Sequence, residues 1–164
     1  MKVQGLHHNA YRCQDAEETR KFYEDFLGLP LVNAFEIAET KTARSTNTLH
    51  FFFQMQDGSC LAFFESYDFP FEFKEQHDYD LHVALEVPPE DLQPWLEKGK
   101  AAGLDTRGIA DHGFIRSIYF RDPNGYVIEL TAKMSNHDEF MDPARNGAAL
   151  TLAKWQGNKA KQIF

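Results

Sequence analysis

The sequence predicts an α+β fold: two βαβββ modules forming curved mixed sheets around a cleft, followed by a C-terminal extension. Three observations lead there. Strand-like runs open at Leu6-His7-His8-Asn9-Ala10 and at Leu81-His82-Val83-Ala84, and each is followed by a helical stretch ending on a glycine, Gly28 or Gly103. The step from His8 to Gly28 is 20 residues and that from His82 to Gly103 is 21, so the halves are copies of one design. After each glycine come three strand-like runs whose last two are joined by turn sequences, Asp57-Gly58 and Asp122-Pro123-Asn124-Gly125. The modules are placed at 1–74 and 75–132, with 133–164 outside the repeat.

The first helix is predicted from Asp15 to Gly28. Asp15 with Glu18 three residues on is a capping pattern, Phe22, Tyr23, Phe26 and Leu27 fall on one face, and Gly28 supplies the left-handed stop. Strands are predicted at roughly 30–38, 47–55 and 59–66. The second helix starts after Pro88-Pro89 with Glu90 and Asp91 in its first turn, and its apolar face is Leu92, Trp95 and Leu96. Strands at roughly 105–109, 114–121 and 125–132 follow. In the tail, Asp142-Pro143 reads as a helix cap with proline at the first helical position, predicting a helix through about Trp155.

Composition narrows the function classes. Of the 164 residues 43% are hydrophobic and 15 are Phe, a content that can fill a core. A formal charge of -8 and a pI of about 5.3 repel phosphate backbones and anionic lipid heads, so neither nucleic acid nor a membrane is expected as partner. MKVQGLHHNA has no apolar signal region, which predicts a cytoplasmic protein. Cys13 and Cys60 are expected to be free structural thiols.

Strand parity then isolates polar residues that break the apolar pattern, because alternate side chains face opposite sides of a sheet. Leu81, Val83, Leu85 and Val87 share one side, leaving His82, Ala84 and Glu86 on the other. Tyr126, Ile128 and Leu130 oppose Val127, Glu129 and Thr131. Leu6, His8, Ala10 and Arg12 oppose His7, Asn9, Tyr11 and Cys13, and the run 59–66 carries Leu61, Phe63 and Glu65 on one side. Each half thus offers one His on its first strand and one Glu on its last. If the sheets curve so that these four converge, the cleft is a metal cleft, since imidazole with carboxylate suits Fe(II), Mn(II), Ni(II), Co(II) or Zn(II). By parity alone, a strand His is more often a surface residue than a ligand, and a strand Glu more often solvated.

Three stretches add a resemblance. HNAYRCQDAEETRKFYEDFLG (8–28) resembles the opening of vicinal oxygen chelate proteins, LHVALEV (81–87) their central His strand, and FRDPNGYVIEL (120–130) their closing strand. The match covers about 1–132. It implies that His8, Glu65, His82 and Glu129 are the four metal ligands of glyoxalase I-like members, with Asp15 and Phe22-Tyr23 setting the register that selects His8 over His7. It also implies a homodimer in which His8 and Glu65 of one chain meet His82 and Glu129 of the other.

The resemblance further implies a small substrate with adjacent oxygens that chelates a divalent metal. With Glu65 in the set, Glu65 or Glu129 moves a proton, as in a glyoxalase I-like lyase or isomerase. With only two His and one Glu, the set is that of an Fe(II) extradiol ring-cleaving dioxygenase, whose aromatic substrate the Phe-rich stretch 51–73 could wall. A metal-free binder like the bleomycin resistance proteins is the third reading. His112 is placed as an acid–base residue, and Arg12, Arg116 and Tyr119 as substrate-binding residues. Asp68, Asp78 and Asp80 argue against an anionic glutathione adduct.

Overall fold

A computed structural model describes residues 2–75, 77 and 79–160 of the chain; Asp78 lies outside the described residues. Two four-stranded sheets carry the same strand order. The first runs β1-β4-β3-β2, built from β1 (His8–Arg12), β2 (Leu31–Glu39), β3 (Ser45–Gln54) and β4 (Cys60–Ser66). The second runs β5-β8-β7-β6, built from β5 (His82–Glu86), β6 (Thr106–Asp111), β7 (Ile115–Arg121) and β8 (Val127–Lys133). Within the first sheet β1 runs parallel to β4, and the other pairs are antiparallel. The α+β class and the duplicated order agree with the sequence reading.

The chain divides into two units, Met1–His82 with Arg121–Val127, and Val83–Phe120 with Ile128–Phe164. In the first, α1 (Ala16–Arg20) starts where Asp15 accepts the Glu18 amide at 2.8 Å. The expected single helix to Gly28 is instead an α-turn that widens into a π-helical stretch, Lys21–Phe26, in which the Leu27 amide reaches back five residues to the Phe22 carbonyl. Arg20 matches this wider pitch by pairing with Asp25 as well as Glu17 and Glu24. Tyr23 stacks on Phe53 at 5.5 Å and packs on Phe63 at 4.7 Å; with Phe51 and Leu61 these side chains are at most 2% exposed. They form the unit's core.

The turn Arg121–Val127 completes that core with polar groups. The Tyr23 hydroxyl donates to Asp122 at 3.0 Å, the Gln14 amide to the Asn124 side chain at 2.9 Å, and the Tyr126 hydroxyl to the Arg12 carbonyl at 2.9 Å. The Lys74 amide donates to the Asn124 carbonyl, drawing the chain at Lys74 against Gly125.

In the second unit α2 (Leu92–Ala101) follows a 3-10 turn at Pro89–Asp91 and buries Leu92 and Leu96, while Trp95 stays half-buried beside Lys98. Gly99 lets α2 close on Phe120: a Cβ there would stand 2.3 Å from the ring. The tail departs from expectation. It forms α3 (His137–Met141) and α4 (Ala148–Ala160), and no helix starts at Pro143. The Asp142 side chain instead accepts the Ala144 amide, closing a turn. No helix among the described residues is long and apolar enough to cross a membrane.

Candidate metal centre

His8 opens β1 and is exposed. The register His8↔Cys60, Ala10↔Ala62, Arg12↔Phe64 puts its side chain on the face of β4 that carries Cys60, Ala62 and Phe64. Glu65 pairs with Leu49, beside Phe63 and Phe51, and so takes the opposite face. Its carboxylate accepts the Ala16 amide at 2.6 Å, at the end of α1 where the first N–H groups have no partner within the helix. The structure therefore does not bring His8 and Glu65 together.

What shares the face of His8 is aromatic. His50 and Phe52 on β3 lie on it, with ring centroids 6.3 and 5.5 Å from that of His8. Phe64 stacks on His50 at 3.7 Å, and Phe35 on β2 meets His50 edge-on at 5.4 Å. His50 is 7% exposed, and its Nδ1 lies 2.9 Å from the Phe63 carbonyl. A carbonyl only accepts, so Nδ1 is the donor in this contact. Sequence reading passed over His50, although the parity that isolates His8 isolates it too, as a polar member of an otherwise apolar run.

In the second sheet, Lys133 on β8 pairs with Glu86 on β5 at 2.8 Å, which fixes those two side chains on one face. Counting back four residues along each strand puts His82 and Glu129 on that same face. Glu129 is 5% exposed and lies 3.5 Å from the Tyr119 hydroxyl, which in turn is 2.9 Å from His112 Nε2. Tyr119 and His112 thus form a chain of hydrogen-bonding groups leading to Glu129. Arg107 approaches the Tyr119 ring at 6.0 Å.

The two arginines expected to bind substrate make other contacts. Arg116 pairs with Asp111 at 3.0 Å, and parity turns it away from Tyr119. Arg12 shares the face of His8 and donates to the Phe69 carbonyl at 3.0 Å. Among the described residues, no three His, Cys, Asp or Glu side chains of a chain gather closely enough to hold a metal ion.

The profile of the Glyoxalase/Bleomycin resistance protein/Dioxygenase superfamily matches residues 5–130. The chain is 30% identical over 131 residues to the metallothiol transferase FosB of Bacillus licheniformis, covering 79% of this chain and 75% of that protein. It is 32% identical over 111 residues to the putative ring-cleaving dioxygenase MhqE of Bacillus subtilis, covering 63% of this chain and 33% of that one. The fosfomycin resistance protein FosX of Listeria monocytogenes, solved with Mn(II), has the same fold: its TM-score is 0.63 at 21% identity, over 84% of this chain and 99% of that one.

Proposed function

The chain belongs to the Glyoxalase/Bleomycin resistance protein/Dioxygenase superfamily, and from that premise we propose that it is a metal-dependent enzyme that opens catechol-type rings with dioxygen. The observation that carries this reading is the placement of Glu65. With its carboxylate given to α1, the donors left are two imidazoles and one carboxylate. That set suits Fe(II) and leaves positions for a substrate with adjacent oxygens. Held by these residues, Fe(II) would supply the redox chemistry that ring opening by dioxygen requires.

His8 stands on one sheet and His82 and Glu129 on the other. We place the set across a homodimer, with His8 of one protomer facing the partner's His82 and the partner's Glu129. The face around His8 then supplies a wall for a flat ring, formed by Phe35, Phe52 and Phe64. In this reading His50, on the face of His8, serves as the base toward a substrate hydroxyl, and the Tyr119 hydroxyl donates a hydrogen bond to Glu129. Glu129, screened from water, keeps its position through Tyr119 and His112.

The lyase reading depends on Glu65 as a mobile ligand and base, and the position of Glu65 takes that support away. A second reading keeps a specific observation in its favour. The likeness to the metallothiol transferase FosB spans three quarters of that protein, so metal-dependent thiol transfer is the alternative.

The deciding experiment is anaerobic reconstitution with Fe(II), followed by parallel assays with catechols, with fosfomycin plus a thiol, and with a hemithioacetal. Oxygen uptake matched mole for mole by loss of catechol supports ring opening. Loaded protein that consumes no oxygen with any catechol, or a purified protein that takes up no metal, overturns it.

A further inference from the structure

The C-terminal helix α4 buries no residue of its described length against the rest of the chain. Residues 148–159 are all exposed, with Leu150 at 76%, Leu152 at 61% and Trp155 at 68%. A 13-residue helix gains little stability from propensity alone, and helices of this length are held by packing of an apolar face. The superfamily match ends at residue 130, so the helix is an addition to the shared fold.

Its charge is opposite to that of the rest of the protein. Residues 143–164 hold four of the 17 basic side chains and none of the 25 acidic ones. The complementary surface is the segment that leaves β4, residues 67–75. It exposes Tyr67 (85%), Phe69 (60%) and Phe73 (51%). Asp68 and Glu72 stand between them and Glu75 follows, against the single base Lys74. Aromatic rings set among carboxylates match a helix that presents Leu152 and Trp155 beside Lys154 and Lys159.

We propose that α4 is a docking arm that seats on the 67–75 segment of a second copy of this chain. Both surfaces stand open within one chain, and each supplies what the other lacks in apolar cover and in charge. The arm adds an interface that does not depend on the metal, so it stands or falls apart from the ring-opening reading.

The test uses full-length protein without metal. One chain carries Trp155→Cys; a second, bearing a tag that shifts its mass, carries Phe73→Cys. Cys13 and Cys60 are buried, and burial pushes both thiols up, Cys13 to about 12, so the introduced cysteines react first. A short bismaleimide should give a covalent mixed dimer. Glu72→Lys with Glu75→Lys in the acceptor chain should lower its yield roughly tenfold, and Lys154→Glu with Lys159→Glu in the arm should restore it. All these positions are exposed, and circular dichroism checks that each variant folds. Three results overturn the proposal: no mixed dimer; a cross-link formed inside one chain bearing both cysteines at a yield that dilution leaves unchanged; or sedimentation of the arm with anionic vesicles in place of the cross-link.

Discussion

The Glu65 carboxylate, 2.6 Å from the Ala16 amide, acts as an anchor for the start of α1. Glu65→Gln keeps an oxygen that can accept that N–H and loses only the charge. It should lower unfolding stability by about 0.5–1 kcal/mol in urea titration. Metal content by mass spectrometry should stay at the wild-type level, whereas His82→Ala should lose it. A loss of metal in Glu65→Gln would return that residue to the ligand set. Asp122 makes a second prediction. Burial raises its carboxyl above the ordinary carboxylate range, against the lowering effect of bonds from Asn124, Tyr126 and Tyr23. A carboxyl whose folded pKa is raised favours the folded state most below its unfolded pKa, and that contribution is lost as pH rises through the folded value. Asp122→Asn should therefore flatten the pH dependence of Tm from about pH 4 upward, and a slope equal to wild type would contradict the assignment.

At the scale of elements, the hairpin turn before β8 is the most sensitive point. Gly125 has φ +91°, and a Cβ there would stand 2.7 Å from the Lys74 nitrogen and 2.6 Å from its carbonyl oxygen. Gly125→Ala combines a left-handed backbone with a clash against main chain, and should cost about 3 kcal/mol in equilibrium unfolding. Strand positions were legible because alternation is a local signal; observed strands begin and end within two residues of those read from the sequence. The π-widening at Lys21–Phe26 was not, since apolar spacing over two turns fits both pitches. The tail helix was misplaced because Asp142 caps a turn as readily as a helix. The site was legible by halves. Parity tells which residues of one strand share a side; which side joins His8 depends on how β1 and β4 pair, and that pairing is non-local.

For the whole molecule, a set shared between two copies has an arithmetic consequence. On the proposed shared site, chains with His8→Ala and chains with Glu129→Ala should each be inactive alone. Mixed in equal amounts and allowed to exchange, half the dimers are hybrids, and each hybrid keeps one of its two sites intact. Activity should recover to roughly a quarter of wild type. No recovery, with exchange verified by mass, would place each set within one chain. The turn Arg121–Val127 carries a consequence of another kind, in the order of synthesis. Tyr23 and Gln14 leave the ribosome about a hundred residues ahead of the Asp122 and Asn124 that satisfy them. The first module thus spends most of translation with those donors unmet, and becomes complete only when the last strand of the second is being made. Duplication gave the chain two similar halves, and this turn ties the completion of the first to the arrival of the second.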